Sequence, residues 1–117
     1  DEKEIEEDEK KTQQPTVAKN NCTETATEKE FLKLRRKMAM QSTEDRMISE
    51  AEKIFKSTCF ETEQIRLLGT LFLTNGGKYR FFDAAYAHVT DPEKFSSLEV
   101  QIKDEYFLNR FRAMLRR

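Results

Sequence analysis

At 117 residues the chain has room for one domain. Charged residues make up 37% and mean hydropathy is -0.83, but the halves differ: residues 1–30 hold ten acids against five lysines, and residues 31–117 hold sixteen Lys/Arg against twelve Asp/Glu together with every Phe and Tyr. Two cysteines and one histidine are too few for a four-ligand zinc site, and no apolar run approaches the ~20 residues that a membrane-spanning helix needs.

Residues 1–26 read as a disordered acidic tail or linker, because like charges repel, Pro15 interrupts and almost nothing is apolar. The acidic run Asp1–Glu9 lacks the ligand spacing and turn glycine of a calcium loop. Asn21-Cys22-Thr23 matches the N-glycosylation pattern, which short sequences often carry by chance. A helical domain is expected over residues 27–117. Glycine and proline are scarce and alternating apolar patterns are absent, so helices are expected and strands are not.

Thr27-x-x-Glu30 has capping-box spacing and opens a helix with Phe31, Leu34 and Met38 on one face. The polar turn Gln41–Asp45 ends it, with Ser42 and Asp45 in the same capping relation. A second helix aligns Met47, Ile48, Ala51, Ile54 and Phe55. A third places Ile65, Leu68, Leu71 and Phe72 together, and Thr74–Gly77 is expected to end it through its paired glycines. The fourth runs from about Lys78 with Tyr79, Phe82, Tyr86 and Val89 on its apolar stripe. Asp91-Pro92-Glu93 has the composition of a helix start, and Phe95, Leu98 and Ile102 follow. The last helix, near Asp104, carries Phe107, Leu108, Phe111 and Leu115.

The expected architecture is all-α: about six short helices packed as consecutive hairpins, in a small bundle or a short solenoid. A shift of 32 residues lays Ser42–Met47 on Thr74–Tyr79, a weak internal repeat compatible with stacked hairpins. Tyr79, Phe82, Tyr86, Val89, Phe95 and Phe111 are expected in the core.

The segment from Phe31 to about Leu115 resembles domain-of-unknown-function family 4476. The resemblance rests on "CFETEQI" (Cys59–Ile65), Leu71-Phe72, Lys78, "FFDAAY" (Phe81–Tyr86), Val89-Thr90-Asp91 and Phe95. Glu61 stands where that family tends to have a threonine cap, leaving Thr62 or Thr58 to cap the helix. The resemblance implies a helical domain of bacterial envelope or secreted proteins, hence an extracytoplasmic location. It implies no reaction.

Catalysis by a Ser-His-Asp or Cys-His arrangement would have to use His88, the single imidazole. His88 flanks the Tyr79/Phe82/Tyr86/Val89 stripe and lies five residues from Asp83, with no serine or cysteine near it in sequence. "TNGGK" lacks the spacing of a phosphate-binding loop. The chain therefore reads as a non-enzyme without cofactor or metal.

If the first two helices form a hairpin turning at Gln41–Thr43, Cys22 and Cys59 lie symmetrically about the turn and can form a disulfide. The alternative is a buried Cys59 thiol and an exposed Cys22. Two basic clusters remain: Lys33, Arg36 and Lys37 on the first helix, and Arg110, Arg112 and Arg116 on the last. They could meet an anion, whether nucleic acid, anionic lipid or a small anion. Exclusion favours a non-catalytic extracytoplasmic interaction or structural module with a protein partner, and the anion or ligand binder is the alternative. The pI of about 6.0 argues against nucleic acid, and membrane association would need an anchor or tether not seen in this chain.

Overall fold

A computed structural model describes residues 22–117; the expected tail up to residue 21 lies outside the described residues. The fold is all-α. Five α-helices, α1 (Glu28–Ala39), α2 (Glu44–Phe55), α3 (Thr62–Gly69), α4 (Asn75–Ala85) and α5 (Glu105–Leu115), are joined by a 3-10 turn at Tyr86–His88 and a ten-residue 3-10 helix, Pro92–Gln101. α1 pairs with α2, α2 packs on α4, and α4 packs on α5. α3 and the 3-10 helix pack on each other, with α4 and α5 as their further neighbours.

Most of the α-helix starts follow from side-chain caps. Thr27 accepts from the Glu30 amide at 3.1 Å while the Glu30 carboxylate accepts from the Thr27 amide at 2.8 Å. Asp104 accepts from the Phe107 amide at 3.0 Å. In α2 the cap is Thr43, which accepts from Arg46, rather than Ser42. In α4 it is Thr74, which accepts from Gly77. The glycine pair therefore does not terminate a helix; Gly76 and Gly77 lie in the first turn of one. A Cβ on Gly77 would collide with the Glu44 carboxylate, and one on Gly76 would meet the Phe107 ring at 3.0 Å. Since Thr43 and Thr74 are both caps, α2 and α4 align at 31 residues, one less than the sequence comparison places them.

Asp91 behaves differently from its local signal. It makes no side-chain cap to the 3-10 helix that follows. Its Oδ1 instead accepts from the Thr62 amide at 2.7 Å and the Thr62 hydroxyl at 2.8 Å, closing the start of α3 from 29 residues away. The Glu61 amide donates to Gln64 Oε1 at 3.0 Å, so the α3 start needs no threonine cap. Asp91→Ala would leave the amide and hydroxyl of buried Thr62 without this acceptor. The expected loss is about 1–3 kcal/mol, read as a lowered urea midpoint at unchanged slope.

Residues Cys22–Ala26, grouped with the tail by composition, belong to the fold. Cys22 and Cys59 form a disulfide with Cα atoms 5.7 Å apart. The Ala26 amide donates to the Cys59 carbonyl at 2.8 Å, and Gln64 Nε2 donates to the Ala26 carbonyl at 3.0 Å. Isolated parallel bridges pair Thr25 with Cys59 and Phe60 with Val89. Val89 is thus extended, not a continuation of α4. Three short extended segments form a seam at one end of α1, α2 and α4.

The core is aromatic. Eight of the nine phenylalanines are buried, and rings connect Phe60, Phe55, Phe81, Phe82, Phe95 and Phe111 in an unbroken series at 5.6–6.3 Å. Tyr79, Phe82, Tyr86, Val89, Phe95 and Phe111 are all within it. Phe81 is buried as completely as Phe82, because α4 has α2, α3 and α5 as neighbours and so is apolar on more than one side.

Candidate functional site

The end of the molecule opposite the seam is formed by two turns, one between α1 and α2 and one between α3 and α4. Glu44, the first residue of α2, fastens them together. Its Oε2 accepts from the Leu73 amide at 2.7 Å and the Thr74 amide at 3.1 Å, and its Oε1 accepts from the Thr74 hydroxyl at 2.5 Å. Lys78 approaches the same corner from α4, donating to the carbonyls of Gly69 at 3.1 Å and Phe72 at 2.7 Å. The Gly69 carbonyl, at the end of α3, also accepts from the Phe72 amide at 3.1 Å, so Lys78 ties the helix end to the turn that follows it. Asp45 and Arg80 add an ion pair at 3.0 Å between the same two helices.

The electrostatics fit this arrangement. Burial alone would raise the Glu44 pKa, but the hydrogen bonds from Thr74 and Leu73, with Arg80 nearby, bring it below the ordinary glutamate value. Burial lowers the Lys78 pKa, and the charge of Glu44 opposes that shift. A carboxylate with a depressed folded-state pKa contributes stability that is complete above its unfolded pKa and is lost as pH falls through the folded one. Glu44→Gln replaces an acceptor oxygen with a donor facing backbone amides. The expected result is a wild-type advantage of about 1–2 kcal/mol at neutral pH. That advantage shrinks as pH drops below the ordinary glutamate value of 4.5, as urea titrations of both proteins at several pH values would read.

The consequence of this bracing is the display of Leu73. The residue is 93% exposed, although its backbone amide is held by Glu44 and its neighbour Phe72 is buried. Beside it lies a concavity of 290 Å³ lined by residues that include Ala39, Thr43, Glu44, Met47, Leu71 and Leu73. An isolated exposed leucine is ordinary on a protein surface. A fully exposed leucine on a corner with this many fixed backbone partners has already lost much of the freedom that binding would otherwise remove.

The residues considered for catalysis are differently placed. His88 stacks on Phe55 with ring centroids 5.4 Å apart, and its carbonyl accepts from the Phe60 amide at 3.0 Å. Asp83 pairs with Arg117. Cys59 is in the disulfide and has no thiol to offer. Among the described residues no group of three His, Cys, Asp or Glu could hold a metal ion, and no helix is long and apolar enough to cross a membrane.

The basic clusters do not share a helix pair. Lys33, Arg36 and Lys37 are on α1, which packs on α2, whereas α5 packs on α4 and the 3-10 helix. Arg112 pairs with Glu99 at 3.0 Å, and Arg116 donates to the Arg112 carbonyl at 3.3 Å. Arg110 lies over the rings of Tyr79 and Tyr106, 5.3 and 5.7 Å from their centroids. α1 and α5 are linked through α2 and α4, so the two clusters stand on helices at either end of that packing series.

Glu44, Leu73 and Lys78 were not marked as site residues by sequence reasoning. The run Leu71-Phe72-Leu73 held a signal: three consecutive apolar residues cannot all face one core, and α3 ends at Gly69. No protein-family model, curated protein or solved structure matches the chain.

Proposed function

We propose that this chain is a non-catalytic extracytoplasmic helical module that recognises a protein partner through its turn end. The observation that carries the reading is Leu73, exposed on a braced corner beside a concavity to which Ala39, Met47 and Leu71 contribute apolar lining. Exposed apolar groups beside a concavity are what a partner's side chain can bury, and a braced backbone lowers the ordering cost. The extracytoplasmic assignment is supported by the Cys22–Cys59 disulfide, which an oxidising compartment preserves. It is supported also by the resemblance to domain-of-unknown-function family 4476.

The test is affinity capture from the native envelope or secreted fraction with wild-type protein and with Leu73→Asp. Because Leu73 contributes nothing to the core, the variant should keep its helical signal and melting temperature. A partner retained by wild type and released at least about tenfold more readily by Leu73→Asp is the expected result, a loss typical of a central apolar anchor. Identical capture by the two proteins would remove the turn end from consideration.

A further inference from the structure

We propose that the outward face of α1 is a docking site for the chain's own acidic stretch, Asp1–Glu9. α1 buries Phe31, Leu34 and Met38 against the core. On the opposite side, Lys29, Leu32, Lys33, Arg36 and Met40 recur at helical spacing, with Leu32 42% and Met40 75% exposed. Arg35 and Lys37 flank this stripe. Lys29, Lys33 and Arg36 border one shallow groove together with Leu32 and Glu28.

Lys53, Arg66, Arg80, Arg112 and Arg117 each hold a carboxylate. Among the described residues, none of the five cations Lys29, Lys33, Arg35, Arg36 and Lys37 does. Cations without an ion pair also occur elsewhere among the described residues, Arg46, Lys56, Lys94 and Lys103 among them, but α1 gathers five on one helix. Of the two acids in the first turn of α1, Glu30 has a carboxylate oxygen occupied by the Thr27 amide in the capping box, and Glu28, which borders the groove, forms no ion pair with the five cations. Like charges one turn apart repel, so a ligand bringing carboxylates to this face relieves a standing cost.

The chain supplies such a ligand. Asp1–Glu9 carries seven carboxylates, one lysine and a single apolar residue, Ile5, to meet Leu32. It joins the fold at Cys22, which is fixed to Cys59 next to the start of α1. The intervening residues 10–21 can span up to ~40 Å, and α1 is only ~18 Å long, so the stretch reaches every cation on the face. Tethering places it at millimolar effective concentration, which lets individually weak exposed pairs act together. An anionic bilayer fits less well. The face offers two apolar side chains for insertion, and the acidic stretch would be repelled from the same surface. The site is a different face from the turn end, and the proposal does not depend on the role given to Leu73.

The experiment uses the full chain. Lysine acetylation is followed residue by residue by mass spectrometry in wild type and in a variant with the seven acids of Asp1–Glu9 changed to Asn or Gln. Lys29 and Lys33 should react at least about threefold faster in the variant, and in wild type at about 0.5 M salt, with Lys56 and Lys103 as references. The protection in wild type should be independent of protein concentration. Equal reactivity in the two proteins at low salt overturns the proposal, as does protection that vanishes on dilution, which would indicate contacts between copies.

Discussion

Replacing Cys22 and Cys59 together by serine is expected to cost about 4 kcal/mol of folding stability. The disulfide closes a loop spanning a sequence separation of 37. In the chain-entropy description, a loop of that length confines the unfolded chain by about this amount. The folded state should change little, since Ala26 remains bonded to Cys59 and Gln64 through backbone and side-chain hydrogen bonds. Urea denaturation of wild type with and without reductant, alongside the double variant, measures the effect. The midpoints of reduced wild type and the variant should coincide. A loss below about 1 kcal/mol would mean that Cys22–Ala26 is held as well by its hydrogen bonds alone.

Phe82→Ala should be comparably severe, at about 3–5 kcal/mol. Phe82 is fully buried on the central helix and touches three aromatic rings, Phe81, Phe95 and Phe111, at centroid distances of 5.9–6.2 Å. Its ring also lies where a Cβ on Gly69 would fall, so α3 is fitted to it. Neither Gly69 nor the neighbouring rings can move in without leaving their own contacts, and the cavity stays open. Phe107 is only partly buried, and Phe107→Ala should cost visibly less. Thermal unfolding of the two variants side by side checks the ranking. Against a typical total stability of about 5–15 kcal/mol, Phe82→Ala places the fold near its limit.

Which features could be read in advance follows from how local their causes are. The Thr27/Glu30 capping box and the Asp104 cap act within three residues, so their spacing in sequence is their geometry. The cysteine symmetry about residue 40–41 was legible because one helical hairpin governs it. Asp91 was not, because an Asp-Pro-Glu start looks the same whether the carboxylate serves its own helix or one 29 residues back. The glycine pair misled for a similar reason. Small residues there make room for Glu44, which is distant in the chain, and not for a left-handed turn. Phe81 escaped a single-stripe reading because a central helix has several buried faces. The turn-end site depends on which side chain is left outside after packing, and only the assembled fold decides that.

The position of the disulfide also governs how the molecule would carry a mechanical load. Tension on the segment preceding Cys22 crosses directly to Cys59 through the covalent bond. Residues Thr23 to Thr58, including all of α1 and α2, then lie outside the covalent load path. A pull toward the C-terminus is resisted covalently along α3, α4 and α5 and by the aromatic series between them. The hairpin bearing the α1 cations and Glu44 shares the load only through non-covalent contacts such as those of Glu44 with Leu73 and Thr74.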